Sequence, residues 1–335
     1  MKSLQVRQYL SGPLDLSVST QPDPIPGPSD YLISIRATAC NFFDLLQIRG
    51  KYQHQPTLPW IAGSEFSGIV LSAPPSALYP AGTRVFGAAQ GGFATKVCAR
   101  EESLRPVPEG WSYKDAAGLF VTAPTSYAAL VTRAKVQKGE TVLVHAGAGG
   151  VGLAAIQISK ALGARVIATA GTEEKRAVCR AYGADEVVDY GGADWVAEVN
   201  RLTDGRGVDV VYDPVGLVNK SLSCCAWNAR VLVVGFAGGK IEEVKVNRVL
   251  LKNVSVVGIH WGLYAKREPE VVEETWRGIF KMIKEGKFKG TVWDGGRELR
   301  GLENVGKALQ ALGARKTWGK VVLEVEEEEG KESKL

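Results

Sequence analysis

The chain contains no C-x-x-C pair, and its five cysteines, Cys40, Cys98, Cys179, Cys224 and Cys225, are odd in number and scattered over 335 residues. That pattern gives neither a disulfide frame nor a four-cysteine metal cluster, and it fits a reducing compartment. Histidine is scarcer still: His54, His145 and His260 lie far apart, with no pair at metal-ligand spacing. His145, inside an apolar run, reads as a core histidine with satisfied ring nitrogens. No apolar stretch reaches about 18 residues, and no charged N-terminal segment leads into a hydrophobic one, so the chain is expected neither to span a membrane nor to be secreted. Basic charge gathers nowhere: 41 basic and 36 acidic side chains leave a formal +5 without clusters or interleaved aromatics. Nucleic acid is not an expected partner.

Glycine, by contrast, is abundant at 39 residues, and one glycine-rich stretch organises the rest. The apolar run Thr141-Val142-Leu143-Val144-His145 leads into Ala146-Gly147-Ala148-Gly149-Gly150-Val151-Gly152, and an apolar helical pattern leads out. Gly147, Gly149 and Gly152 stand in G-x-G-x-x-G register, which serves a sharp turn, close approach to a pyrophosphate, and packing of helix on strand. The phosphates are expected on the free N–H groups and positive end of the helix that begins near Val151, with Gly150 beside them. Repetition gives the pattern meaning. Arg165–Thr169, Glu186–Tyr190, Val208–Tyr212, Val231–Val234 and Val254–Val257 repeat the apolar run, with Thr172–Tyr182 a helix closed by Gly183. Six such strands predict a doubly wound parallel sheet.

An NAD site wants a carboxylate about twenty residues past the glycines. The strand tip here is Ala168-Thr169-Ala170-Gly171-Thr172, without an acid. Glu173 and Glu174 follow a Thr172 N-cap, where the helix dipole explains them. Lys175, one turn in, suits a 2′-phosphate, so NADPH is the expected cofactor.

The first 120 or so residues differ in texture, with proline, glycine and short alternating runs at Leu32–Ala37, Gly68–Leu71, Thr83–Phe86 and Phe93–Val97. They predict a small β-rich, partly barrel-like domain. Past the six strands come an amphipathic helix, Glu270–Lys284, and a strand, Lys320–Val325, both expected to fold back onto that domain.

This order of parts resembles the medium-chain dehydrogenase/reductase superfamily, and within it the zinc-independent quinone oxidoreductase branch, which is related to enoyl reductases. The resemblance rests on Asn41-Phe42-Phe43-Asp44 with Gly50-Lys51-Tyr52, Gly63-Ser64-Glu65-Phe66-Ser67-Gly68, Thr125-Ser126-Tyr127-Ala128-Ala129-Leu130, Asp213-Pro214-Val215-Gly216 and Gly319-Lys320-Val321-Val322-Leu323, and covers about residues 3 to 325. It implies an α/β protein: a doubly wound Rossmann domain with a six-stranded parallel sheet, plus a β-rich GroES-like catalytic domain. The expected division is a GroES-like domain over 1–121, an NADPH-binding Rossmann domain over 122–262, a return segment over 263–325 packing on the catalytic domain, and a flexible acidic tail over 326–335. The zinc enzymes of the superfamily carry Cys and His where this chain has Asn41 and Ser64, and Cys40, one residue off, would point to the opposite face. No metal is expected.

Without zinc, the chemistry the resemblance implies is hydride transfer from NADPH to a quinone or to an activated double bond of an enone, enal or enoyl thioester. Reducing an enoyl thioester leaves an enolate to protonate, and Tyr52 is a plausible donor or, alternatively, an aromatic lining the site. The same resemblance places Asn41 and Asp44 at the floor of the substrate site, Thr125 at the nicotinamide or its ribose, Lys175 and Tyr190 at the 2′-phosphate, Phe236 with its loop at the nicotinamide amide, and Lys320 near the cofactor. Asp44 reads equally as a structural partner. Two departures stand out: Leu217 replaces a second glycine after Gly216, and Ile48 stands where the family usually has an arginine, with Arg49 one residue on. A homodimer joined through Val254–Val257 is the family expectation. Trp60, Trp261 and Tyr264 read either as pocket wall or as packing. The rival readings are an NADPH-binding protein with little turnover, whose mark would be loss of Asn41, Tyr52 or Thr125, and a zinc-dependent alcohol dehydrogenase, opposed by the missing ligands. The final Ser333-Lys334-Leu335 is the tripeptide read by the peroxisomal import receptor, so the peroxisomal matrix is the expected compartment, with the cytoplasm otherwise.

Overall fold

A computed structural model of the chain describes residues 1–192, 194–293, 295 and 299–326. It divides into two compact units, Thr122–Lys289 and Met1–Val121 joined by the chain from Gly290 onward. Among the described residues no helix is long and apolar enough to cross a membrane.

In the Thr122–Lys289 unit, six parallel strands lie in the order Glu186–Val188, Arg165–Thr169, Thr141–Val144, Val208–Asp213, Cys225–Val233, Ser255–Gly258. Every residue of Thr141–Val144 and Val208–Asp213 is buried, as expected of central parallel strands covered on both faces. The chain builds outward one way from Thr141–Val144 and then returns to build the other way from Val208–Asp213. The carboxyl ends of these two strands therefore form a topological switch point, where open α/β sheets bind ligands. Helix Glu173–Ala181 starts on Thr172, whose hydroxyl accepts from the Lys175 N–H, and stops before Gly183, which takes φ 103°.

Helix Pro269–Lys284 departs from expectation. It belongs to this unit and packs on helix Thr122–Tyr127, so the segment that returns to the first domain begins at Gly290, not 263. The fit is tight at Gly278, where a Cβ would fall 2.0 Å from the Tyr127 hydroxyl. Amphipathic spacing says that a helix has a face to bury, and leaves open which domain receives it.

The other unit is built on a seven-stranded sheet. Its longest strand, Asp30–Ala39, pairs with Glu65–Ser72, Lys96–Arg100 and Lys320–Glu324, all antiparallel. Two register shifts against Glu65–Ser72 curl it. A smaller sheet joins Val18–Thr20, Lys2–Val6 and Trp60–Ile61. Ile33, Ile35, Phe66, Val85, Val321 and Leu323 are in one core, and Trp60 is buried among them, which is the packing alternative for that residue. The strand expected from Phe93 begins at Lys96, because Phe93 exchanges its backbone groups with Ala62 and Leu4 instead.

Candidate functional site

Each unit carries its own cluster of functional side chains. In the β-rich unit, Val322 lies opposite Ala39 and Ala39 opposite Glu65. That register brings the first residue of one strand, Lys320, to the end of its neighbour at Cys40 and Asn41, beside the first residue of the next, Glu65. All four side chains are buried. The Lys320 ammonium donates to Glu65 Oε2 at 2.6 Å, Asn41 Oδ1 at 2.7 Å and the Cys40 carbonyl at 3.1 Å. Asn41 Nδ2 donates to Glu65 Oε2 at 2.9 Å, and the Val121 N–H donates to Glu65 Oε1 at 2.7 Å. An ammonium only donates and a carboxylate only accepts, so the Asn41 amide has one possible orientation. Gly118 makes room, since a Cβ there would fall 2.8 Å from that of Lys320. With three donors and three partners, the Lys320 ammonium is satisfied within this cluster.

Asn41 also caps helix Phe42–Gln47. Its N–H donates to Asp44 Oδ2 at 2.7 Å, the N3 carboxylate reaching back as in a capping box. Asp44 is fully buried, and its Oδ1 meets no hydrogen-bond partner. Burial raises its carboxyl to about 7, against the lowering effects of the Asn41 N–H and Lys320. Half-buried Tyr52 stacks on Phe43 with centroids 5.6 Å apart, and burial together with the Asp44 charge raises its hydroxyl above the usual tyrosine range. Cys40 lies in the core, its thiol pushed up by burial, as its place beside Asn41 implies.

In the nucleotide-type unit, strand Thr141–Val144 runs into His145 and the glycine turn, and helix Gly150–Ala161 leaves it. The three glycines have distinct surroundings. A Cβ on Gly152 would fall 2.4 Å from the Ala146 carbonyl oxygen, and one on Gly147 would fall 2.9 Å from Ala168 Cβ. One on Gly149 would meet only the Ala146 oxygen, at 3.2 Å. So Gly147 and Gly152 allow the turn to close, while Gly149 presents bare backbone. The first-turn N–H groups of Gly150, Val151 and Gly152 lack intrahelical partners by position, which suits a pyrophosphate. His145 is buried, 3.1 Å by Nδ1 from the Thr169 hydroxyl and 2.9 Å by Nε2 from that of Ser221. Desolvation lowers it to about 4, so it is a neutral core histidine.

Two residues were expected at the 2′-phosphate. Tyr190 is partly exposed, its ring 3.7 Å from where a Gly171 Cβ would stand, and half-buried Lys175 lies in the first turn after the Thr172 cap. Phe236 is exposed in a loop tied to the 213–216 turn by Ala237 N to Pro214 O and Gly238 N to Val215 O. Thr125 lies on helix Thr122–Tyr127, whose Ser126 hydroxyl is 2.9 Å from the Val151 carbonyl and 2.8 Å from the Tyr212 hydroxyl. Trp261 stacks on Tyr264 within the same unit. Ser333, Lys334 and Leu335 lie outside the described residues.

Three residues were not singled out by sequence reading. Glu65 holds the buried lysine. Asp213 accepts from the N–H groups of Val215, Gly216 and Leu217 and so shapes the turn at the switch point. Arg176, beside the expected Lys175, pairs with Asp189 at 2.7 Å and Glu173 at 2.9 Å. The first two lie inside the motifs quoted above, and only their buried partners reveal what they do.

Residues 27–109 match the alcohol dehydrogenase GroES-like domain family, and residues 150–279 match the zinc-binding dehydrogenase family. The quinone oxidoreductase-like protein 2 homolog of Nematostella vectensis is 35% identical over 303 residues, 89% of this chain and 82% of that one. The chain belongs to the quinone oxidoreductase branch of the medium-chain dehydrogenase/reductase superfamily. Among solved structures of that branch, Escherichia coli quinone oxidoreductase complexed with NADPH is similar at a TM-score of 0.85 and 28% identity, covering 97% of this chain and 100% of that one. A mycobacterial protein complexed with NADPH gives 0.86 and 33%, with the same coverage.

Proposed function

We propose that this chain is an NADPH-dependent oxidoreductase that passes hydride to a quinone or to the activated double bond of an enone, enal or enoyl thioester, without zinc. The cofactor reading is supported by the glycine turn, whose crowded Gly147 and Gly152 flank an open Gly149, and by relatives solved with NADPH. NADPH supplies the hydride when bound. The chain would hold its pyrophosphate on the first-turn N–H groups after Gly149 and its adenosine end near Tyr190 and Lys175.

The observation that carries the zinc-free reading is the donor set around Asn41. Its amide oxygen accepts from an ammonium, its nitrogen donates to Glu65, and the Lys320 charge already balances that carboxylate. Catalytic zinc is held by thiolate, imidazole or carboxylate groups; Asn41 offers an uncharged amide whose oxygen already accepts from Lys320. Acceptors that need little Lewis-acid help remain.

Tyr52 is the proton donor in this proposal. Burial and the nearby Asp44 charge favour its protonated form, so at neutral pH it has a proton to give to the enolate left after hydride addition. The test compares wild type and Tyr52→Phe in NADPH oxidation, offered a trans-2-enoyl-CoA and a simple quinone. Enoyl reduction should fall by about 100-fold or more, with quinone reduction unchanged, because the hydroquinone monoanion left after hydride addition takes its one remaining proton from water. Equal effects on both acceptors, or none on the thioester, would assign Tyr52 to lining the site.

A further inference from the structure

At the end of the second strand of a dinucleotide-binding sheet, a bare carboxylate accepts the ribose 2′-hydroxyl of NAD, and the same charge repels the 2′-phosphate of NADPH. The tip of strand Arg165–Thr169 has no acid, but two acids stand just beyond it. Glu173 opens helix Glu173–Ala181, directly after the Thr172 cap. Asp189 follows strand Glu186–Val188, whose last residue lies opposite Thr169 and accepts from the Ala170 N–H at 3.1 Å. Both carboxylates therefore belong to the same end of two neighbouring strands.

Neither is left as a bare charge. Arg176, one turn into the helix, donates by Nε to Glu173 Oε2 at 2.9 Å and lies by Nη1 2.7 Å from Asp189 Oδ2. The other two oxygens are also engaged: Glu173 Oε1 accepts from Arg180 at 2.9 Å, and Asp189 Oδ1 from the Gly191 N–H at 2.8 Å. Arg180 and Arg176 hold the Glu173 carboxyl below the usual carboxylate range, and the Gly191 N–H and Arg176 do the same for Asp189, so both acids are ionised at neutral pH. The Asp189 carboxylate also closes the turn that carries Tyr190, whose ring lies against Gly171. The Arg176 side chain is only 18% exposed, whereas its partners are 68% and 42% exposed. Ion pairs so open to water contribute little to folding.

We propose that Arg176 sets the preference for NADPH over NADH by occupying the two carboxylates that would otherwise stand uncompensated beside the adenosine ribose. Arg176 is thus a specificity-determining residue that acts through Glu173 and Asp189, while Lys175, its neighbour in the chain, is the cation offered to the 2′-phosphate. The proposal rests on the NADPH reading of the glycine turn.

Fluorescence titration of the full chain with NADPH and with NADH, each without acceptor, tests it. Wild type should bind NADPH more tightly; equal affinity for the two would remove the reading on which the proposal rests, before any variant is compared. Arg176→Ala should weaken NADPH about tenfold and leave NADH unchanged or tighter, as two uncovered charges oppose only the phosphate. Thermal unfolding should hardly move. The variant that also carries Glu173→Gln and Asp189→Asn should recover most of the NADPH preference, because the charges that Arg176 covers are then gone. Equal loss of both dinucleotides in Arg176→Ala would assign Arg176 to holding the turn alone. A triple variant as poor in NADPH as Arg176→Ala would mean that the guanidinium touches the phosphate itself, and either result overturns the proposal.

Discussion

Asp44 concentrates the conflict within the β-rich cluster. One carboxylate oxygen accepts from the Asn41 N–H, which favours the charged form, and the other is buried without a partner, which opposes it. Burial wins, and the folded carboxyl titrates near 7 against 3.8 as its ordinary value. Between those pH values the folded chain binds the extra proton, so Asp44's contribution to stability is full below about pH 4 and is lost as pH rises through 7. His145 runs the other way: it titrates near 4 when folded and 6.5 ordinarily, the unfolded chain binds the extra proton, and stability rises with pH across that window. Asp44→Asn keeps an acceptor for the Asn41 N–H and stays neutral throughout. It should match wild type near pH 4 and exceed it at pH 8 by at most about 4 kcal/mol, the equivalent of about three pH units. Urea unfolding of both proteins from pH 4 to 8 measures this. A variant less stable than wild type at pH 8 would mean that the folded carboxylate is ionised and its charge well compensated.

Among elements, the glycine turn separates two roles that the sequence pattern merges. Gly152→Ala drives a methyl into backbone carbonyls 2.4 and 2.7 Å away, so helix Gly150–Ala161 must move off its strand. Both stability and NADPH affinity should fall, stability by about 1–3 kcal/mol as for other overpacked sites. Gly149→Ala has an extended φ of −77° and a single 3.2 Å neighbour, so the fold should hold while the methyl blocks phosphate approach. Thermal unfolding set beside NADPH titration distinguishes the two; a Gly149→Ala protein with unchanged affinity would move the pyrophosphate elsewhere. This turn was legible because everything it needs lies within twelve residues of chain, from Thr141 to Gly152. The Lys320–Glu65 pair was not, because the partners are 255 residues apart and meet only through sheet register. Helix Pro269–Lys284 was legible as a helix but not in its address, since its notch at Gly278 fits a tyrosine that no local pattern names.

At the scale of the whole molecule, the sheet of the nucleotide-type unit ends on strand Ser255–Gly258, paired on one side with Cys225–Val233. An edge strand offers a row of backbone donors and acceptors, and proteins usually blunt such an edge with charge, proline or a bulge. Ser255, Val256, Val257 and Gly258 include none of these residue types. Nearby helix Val246–Lys252 buries none of its residues, and Val246, Leu250 and Leu251 are each more than 70% exposed; Trp227, on the adjoining strand, is 67% exposed. Apolar exposure on this scale beside an unguarded edge marks an association surface. We propose that a second copy covers it, with the two edge strands pairing antiparallel across a two-fold axis, so that each copy contributes the same surface. Val256→Lys with Leu250→Lys would place like charges opposite one another and should convert a dimer to a monomer in light-scattering chromatography, with NADPH affinity retained because neither residue is in the glycine turn. A variant that stays dimeric would exclude this edge as the joint, and a monomeric wild type would exclude the assembly itself.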